Sequence, residues 1–457
     1  MGAFEAIMEK ISGALWGWPM IILLLGTHLF LTIRLRFPQR YIGKAIRLSF
    51  TKDKNSPGDV SNFSALATSL AATIGTGNIV GVATAVALGG PGAVFWCWIT
   101  GVLGIATKYS EGLLAVKYRV RTSNGQMLGG PMYALERGLG LKWMAVLFCI
   151  FTAVASFGIG NTVQANAISM LTFESWGIPV QWTGLVLCVL VGCVILFGLK
   201  GIARVCTLFV PVMSVFYILG CVAILVVNNA YLGETVSLIF NSAFSARAAG
   251  SGFLGATVMM AARYGIARGL FSNESGMGSA PIVAAAAQAR NPVRQALVSS
   301  SGTFWDTVII CALTGLVLVS SIIAYPDIDH TQGAALTHAA FAKIPFGTFV
   351  LTVGILTFAF STILGWSYYG ERAIEYLGGK RWIKFYRILW VIGIYVGSVL
   401  NLALVWNIAD SMNALMAIPN LISLLLLSGV IVKETKKYLW NGRLDEEDKE
   451  EIPTVDK

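Results

Sequence analysis

Charged residues are scarce in this sequence: Asp, Glu, Lys and Arg make up 12% of 457 residues, against roughly 25% in a typical soluble domain. That shortage excludes an ordinary soluble protein. Histidine is scarcer still, and His28, His330 and His338 are too scattered to build a metal site or a catalytic dyad. No nucleophile elbow or metalloprotease motif is present, so the chain does not read as an enzyme and no cofactor is expected. The seven cysteines fall inside apolar segments without metal-ligand spacing and read as small buried hydrophobes. The start of the chain lacks the positive leader and small-residue cleavage site of a signal peptide, since Glu5 and Glu9 precede the first apolar run. That run is expected to remain as a membrane helix.

What the sequence does have is apolar length. Segments of about twenty residues, enough for a helix to cross a hydrocarbon core of about 30 Å, recur throughout. Eleven helices are expected at 15–33, 62–88, 92–117, 143–171, 180–199, 204–228, 253–289, 295–323, 346–377, 383–405 and 411–432. The fold class is therefore an all-α polytopic membrane protein, with lipids as its surroundings. When the loops are assigned to alternate sides, 27 of the 33 Lys and Arg fall on one face, which by the positive-inside rule puts the N-terminus outside the cell membrane and the C-terminus in the cytoplasm. The net charge of +10 is thus a topology signal and implies no nucleic-acid partner. Asn229 to Gly252, half-apolar, is expected to form an interfacial helix on the outer face. The tail "NGRLDEEDKEEIPTVDK" is expected to be solvated and poorly ordered.

Setting the first helix aside leaves two sets of five. Five is odd, so the second set runs inverted relative to the first. The opening helix of each set carries residues that interrupt a helix: Gly75-Thr76-Gly77-Asn78 in "SLAATIGTGNIVG" and Asn273, Glu274, Ser275, Gly276 and Gly278 in "FSNESGMGS". Paired interruptions at corresponding positions point to a substrate site in an inverted-repeat transporter. Non-helical backbone survives at membrane depth only where protein, water or a ligand satisfies its polar groups. The opened N-terminal end of a half-helix suits a carboxylate, and freed carbonyls at a C-terminal end suit an ammonium group or Na⁺. Together these describe a zwitterion with a co-transported cation. Glycines in membrane helices are often packing devices, but Asn78 and the ionisable Glu274 beside them favour function. The spacing of "GTGNIVG" is wrong for a dinucleotide-binding turn.

Other polar residues lie within the apolar runs. Asn161 and Gln164 share a helix face and are candidates for one cavity, or for interhelical hydrogen bonds. Ser361 and Thr362 offer hydroxyls to their own helix or to a sodium ion, and Trp366 is one turn further on. Arg263, Arg268 and Asp306 read first as a structural ion pair and second as a gate or proton relay.

"GGPGAVFWCWITGVLGIATKY" (Gly89 to Tyr109), "NESGMGSAP" (Asn273 to Pro281) and "STILGWSYYGE" (Ser361 to Glu371) resemble the alanine or glycine:cation symporter family, with a likeness to archaeal members, over essentially the whole chain. Cys97 stands where Met is expected, a packing difference, and Ser275 where Ala is expected, placed to tune the pocket. The resemblance implies a LeuT-like architecture. Residues 1–60 would hold a peripheral helix and basic loop, 61–228 the first repeat, 229–252 a connecting segment, 253–432 the inverted repeat and 433–457 a cytoplasmic tail. It implies a substrate carboxylate at Thr76, Gly77 and Asn78, an amine near Phe271, Ser272 and Glu274, and Gln164 on the helix that covers the substrate; Gly276 and Trp366, the latter read as pocket wall or plain packing, complete the candidate substrate residues. Sodium would meet Ala71, Ile74, Phe358, Ser361 and Thr362. Alanine or glycine would be imported with sodium by alternating access. Proton coupling through Glu274 is the alternative, and a channel the remoter one.

Overall fold

The computed structural model describes residues 2–455 apart from 52, 54, 55, 246–256, 401 and 402. The expected end of the connecting segment, the start of the second repeat at 253 and part of the 383–405 helix lie outside the described residues. Each of the eleven expected segments contains a helix. Among the described residues seven helices are long and apolar enough to cross a membrane, or eight if the bent pair Asn62–Thr73 and Gly77–Gly89 is one span. Gly92–Lys117 is 26 residues long but carries Lys108 and Glu111, and Val180–Ile195 has 16 residues.

The first interrupted helix begins where Ser61 accepts a hydrogen bond from the Ser64 N–H, and it runs to Thr73. There Ile74 turns to an extended conformation (φ −75°, ψ 94°). The chain then re-enters helix through a π turn, Gly77–Gly81, and continues as Val82–Gly89 at 53° to the first part. The second, Val258–Asn273, is capped by Thr257 and stops at Glu274, whose left-handed conformation (φ 52°) ends the helical path. Gly276 (φ 92°) and Gly278 (φ 87°) follow in backbone regions that L side chains rarely adopt. Helix does not resume to 289 as the sequence pattern predicts. Only the turn Pro281–Ala284 forms, and the chain then pairs with the start of the first interrupted helix. In that pairing the Gln288 N–H donates to Val60 O (2.8 Å) and the Asp59 N–H to Ala286 O (2.8 Å).

The helix Leu232–Phe244 occupies the connecting segment. The tail departs from expectation. Thr454–Val455 adds a parallel strand to Val120–Thr122, which also pairs with Met127–Leu128. Before it, Asp445 takes an ion pair from Arg294 (2.5 Å) and Glu450 one from Lys117 (2.6 Å). Polar composition suggested disorder because it does not register backbone pairing or the basic residues that receive the tail.

Candidate functional site

The two interruptions meet. A Cβ placed on Gly77 would sit 3.5 Å from the Phe271 ring and 3.8 Å from Ser272 Cα. Asp306, fully buried on the helical segment Pro292–Ala324, joins them: Asn78 Nδ2 donates to its Oδ1 (2.7 Å) and the Ser272 hydroxyl donates to its Oδ2 (3.0 Å). Thr307 also donates to Asp306 Oδ2 (2.6 Å). Asp306 is thus a hydrogen-bonded hub and not the partner of Arg263 or Arg268. Arg263 lies over the Tyr264 ring, 5.7 Å from its centroid.

At the first interruption Asn78 completes the backbone that the helix abandons, its Oδ1 accepting from the Gly75 N–H (2.9 Å). Its amide nitrogen also reaches Cys311 Sγ (3.3 Å), so this cysteine has a polar neighbour that its apolar segment did not reveal. Thr76 Oγ1 donates to Gln164 Oε1 (3.3 Å), and Gln164 Nε2 donates to Ile159 O (3.0 Å). Of the two readings of Asn161, a cavity shared with Gln164 or an interhelical hydrogen bond, the structure shows the second: its amide donates to Trp390 O (2.8 Å).

The same interruption faces the hydroxyls of the helix Gly347–Gly378. Ser361 Oγ lies 3.3 Å from Ala71 O and 2.9 Å from Phe358 O. Thr362 Oγ1 lies 3.0 Å from Phe358 O and 3.5 Å from Ile74 O. All five expected sodium residues therefore present their oxygens together. Gly75 allows this approach, because a Cβ there would stand 2.7 Å from Thr362 Oγ1. A cluster of neutral oxygens suits a hard cation, as the oxygen sites of Ca²⁺ and Mg²⁺ illustrate.

At the second interruption Glu274 is buried, accepting from Trp366 Nε1 (3.1 Å) and from the Ser279 hydroxyl. Both polar backbone groups of Gly276 are engaged: its N–H donates to Glu111 (3.0 Å) and its C=O accepts from Asn420 (2.8 Å). Ser275 points to Thr303 (3.1 Å) and lies against Gly104. It packs between helices, unlike the pocket-tuning role its position suggested.

Thr76, Gly77 and Phe271 line a cavity of about 450 Å³ that also touches Glu174, Arg268 and Asp410. A second cavity of about 520 Å³ is lined by Asp59, Lys200, Tyr368 and Arg372. Burial pushes the Asp59 carboxyl upward in pKa, against the Met127 N–H it accepts, which pulls it down. Sequence reasoning did not assign Lys108, Glu111 or Asn420 to the site. The available signal was a pair of charges three residues apart in an otherwise apolar helix.

A family described as the sodium:alanine symporter family matches residues 1–452. The chain is 51% identical over 453 residues to an uncharacterized transporter of Haemophilus influenzae, covering 98% of this chain and 99% of that one. It is 50% identical over 444 residues to the sodium/alanine symporter AgcS of Methanococcus maripaludis, covering 95% and 97%. Among solved structures, MhsT in complex with L-phenylalanine superposes with a TM-score of 0.57 at 14% identity, covering 85% of this chain and 95% of that one. The fold is LeuT-like, and the protein is a transporter and not an enzyme. With its match running from residue 1 to 452, the chain belongs to the sodium:alanine symporter family.

Proposed function

We propose that the protein imports alanine or glycine together with sodium by alternating access. Family membership supports sodium-coupled alanine symport; the site assignment is our reading. The observation that carries it is the cluster of Ala71, Ile74, Phe358, Ser361 and Thr362 oxygens beside the first interruption, close to where the second one meets it. In this reading the substrate carboxylate meets the helix end opened at Thr76, Gly77 and Asn78, where N–H groups and the helix dipole favour negative charge. The ammonium group meets the carbonyl end at Phe271 and Ser272, with Glu274 adding charge. Gln164 and Trp366 close around it, and Gly276 supplies the turn. Large side chains are rejected by clash, which is easier than rejecting small ones by lost contact.

Motion between a state open to the cavity at Arg268 and one open to the cavity at Asp59 would carry the cargo across. The N-terminus is outside the cell membrane and the C-terminus in the cytoplasm in this reading. Residues 61–228 and 253–432 act as the two inverted repeats, with 1–60, 229–252 and 433–457 as additions around them.

Uptake of labelled alanine into proteoliposomes tests it, comparing an inward sodium gradient with potassium and with a proton gradient alone. Accumulation only with sodium is expected. Accumulation on protons alone would move the coupling role to Glu274, and passive equilibration insensitive to every gradient would make it a channel.

A further inference from the structure

Lys108 is 2% exposed in the helix Gly92–Lys117, and among the described residues its one hydrogen bond runs from Nζ to Asn273 O at 2.8 Å. Asn273 is the last residue of the half-helix Val258–Asn273, the end at which unpaired carbonyls and the helix dipole concentrate negative charge. One turn further along the same helix, Glu111 Oε1 gathers the opposite end of the interruption, the Gly276 N–H (3.0 Å) and the Gly278 N–H (3.1 Å), and also accepts from Asn420 Nδ2 (2.7 Å) on the helix Ala403–Leu426. Cation meets carbonyl and carboxylate meets amide. No hydrogen bond joins Lys108 to Glu111, although they stand three residues apart where helical side chains readily pair; each is turned to the interruption instead. The first interruption has no such arrangement. Its carbonyls at Ala71 and Ile74 face neutral hydroxyls.

We propose that Lys108 is a resident cation for the second interruption, a tethered ammonium standing where a second co-transported ion would otherwise be needed. With Glu111 it is a positioning residue for the segment that carries Glu274. The inference rests on the symport reading above and deepens it: one sodium, held at the first interruption, moves per substrate. A resident cation is covalently held, so it neutralises the helix end without being carried across.

The test is alanine uptake in proteoliposomes by the full-length protein and by Lys108→Ala, Lys108→Met and Lys108→Arg, each checked for a monodisperse folded state. The unmodified protein should respond to sodium with a one-site dependence. Lys108→Ala should lose alanine uptake by about tenfold or more, the scale of one hydrogen bond to a charged group. Added ethylammonium should restore it and ethanol should not, a difference that a purely structural void would not show. Lys108→Met should become steeper in its sodium dependence as a second ion enters. Lys108→Met with uptake and sodium response within about twofold of the unmodified protein would overturn the proposal. So would loss in Lys108→Ala that ethylammonium does not relieve, combined with loss in Lys108→Arg. If the unmodified protein fails to accumulate alanine on sodium, the symport reading itself falls; sodium-driven uptake with unaffected Lys108 variants sinks the resident cation alone.

Discussion

The first and second interruptions solve one problem in two ways. Both stop a helix inside an apolar bundle, where an unsatisfied backbone group costs several kcal/mol. At the first, Asn78 bonds the Gly75 N–H within the same segment, and the carbonyls of Ala71 and Ile74 are left against neutral hydroxyls from a different helix. At the second, a fixed cation and a fixed carboxylate from one neighbouring helix hold the carbonyl and amide ends. In the proposed reading the first exchanges the sodium ion, whereas the backbone ends of the second are fastened by fixed charges. A pair of sequence interruptions that look alike thus differ in how their ends are held.

The largest expected effect comes from destroying the exchangeable side. Replacing both hydroxyls, Ser361→Ala with Thr362→Val, removes two oxygens from the five. It should weaken half-saturation by sodium at least about a hundredfold, at about 1.5–3 kcal/mol for each bond to a charged group. Sodium titration of alanine uptake checks it, and an unchanged half-saturation would move the ion elsewhere. A middle effect comes from crowding that side. Gly75→Ala places a methyl group 2.7 Å from Thr362 Oγ1, whereas Gly81→Ala, on the same segment, meets nothing within 4 Å. The first should cost about 1–3 kcal/mol of sodium binding through overpacking and the second almost nothing. Equal effects from the two variants would show that the region tolerates repacking and that the Gly75 contact does not matter. The smallest concerns the fastened side. Trp366→Phe deletes the bond to Glu274 Oε1 while keeping an aromatic ring, and alanine affinity should fall by about three- to tenfold. A change of similar size in sodium affinity alone would mean that Trp366 serves the ion and not the substrate.

The interruptions were legible because glycine, asparagine and glutamate stand out in an apolar run, and each needs a reason at membrane depth. Ser361 and Thr362 were visible as hydroxyls, but two residues on one helix do not say which other helix they face; the resemblance supplied that. Asp306 was expected beside an arginine, since a buried charge calls for a partner. It is instead satisfied by three neutral donors, Asn78, Ser272 and Thr307, which only the rotation of three separate segments brings together. The tail was misread because its strand is held by backbone pairing to Val120–Thr122, an interaction composition does not encode.

By itself the sequence determined the membrane class, the apolar segments that contain helices, and the two points at which helical geometry fails. Those follow from local rules: hydrophobic length, the side on which charge gathers and the backbone freedom of glycine. Only the tertiary structure decided which groups satisfy each failure. Lys108 is a charge in a helix until packing aims it at Asn273 O, and Ser361 is a hydroxyl until packing brings it to Ala71 O. The direction of a side chain relative to a segment 165 or 290 positions away is set by how whole helices rotate against one another, and no local pattern carries that information.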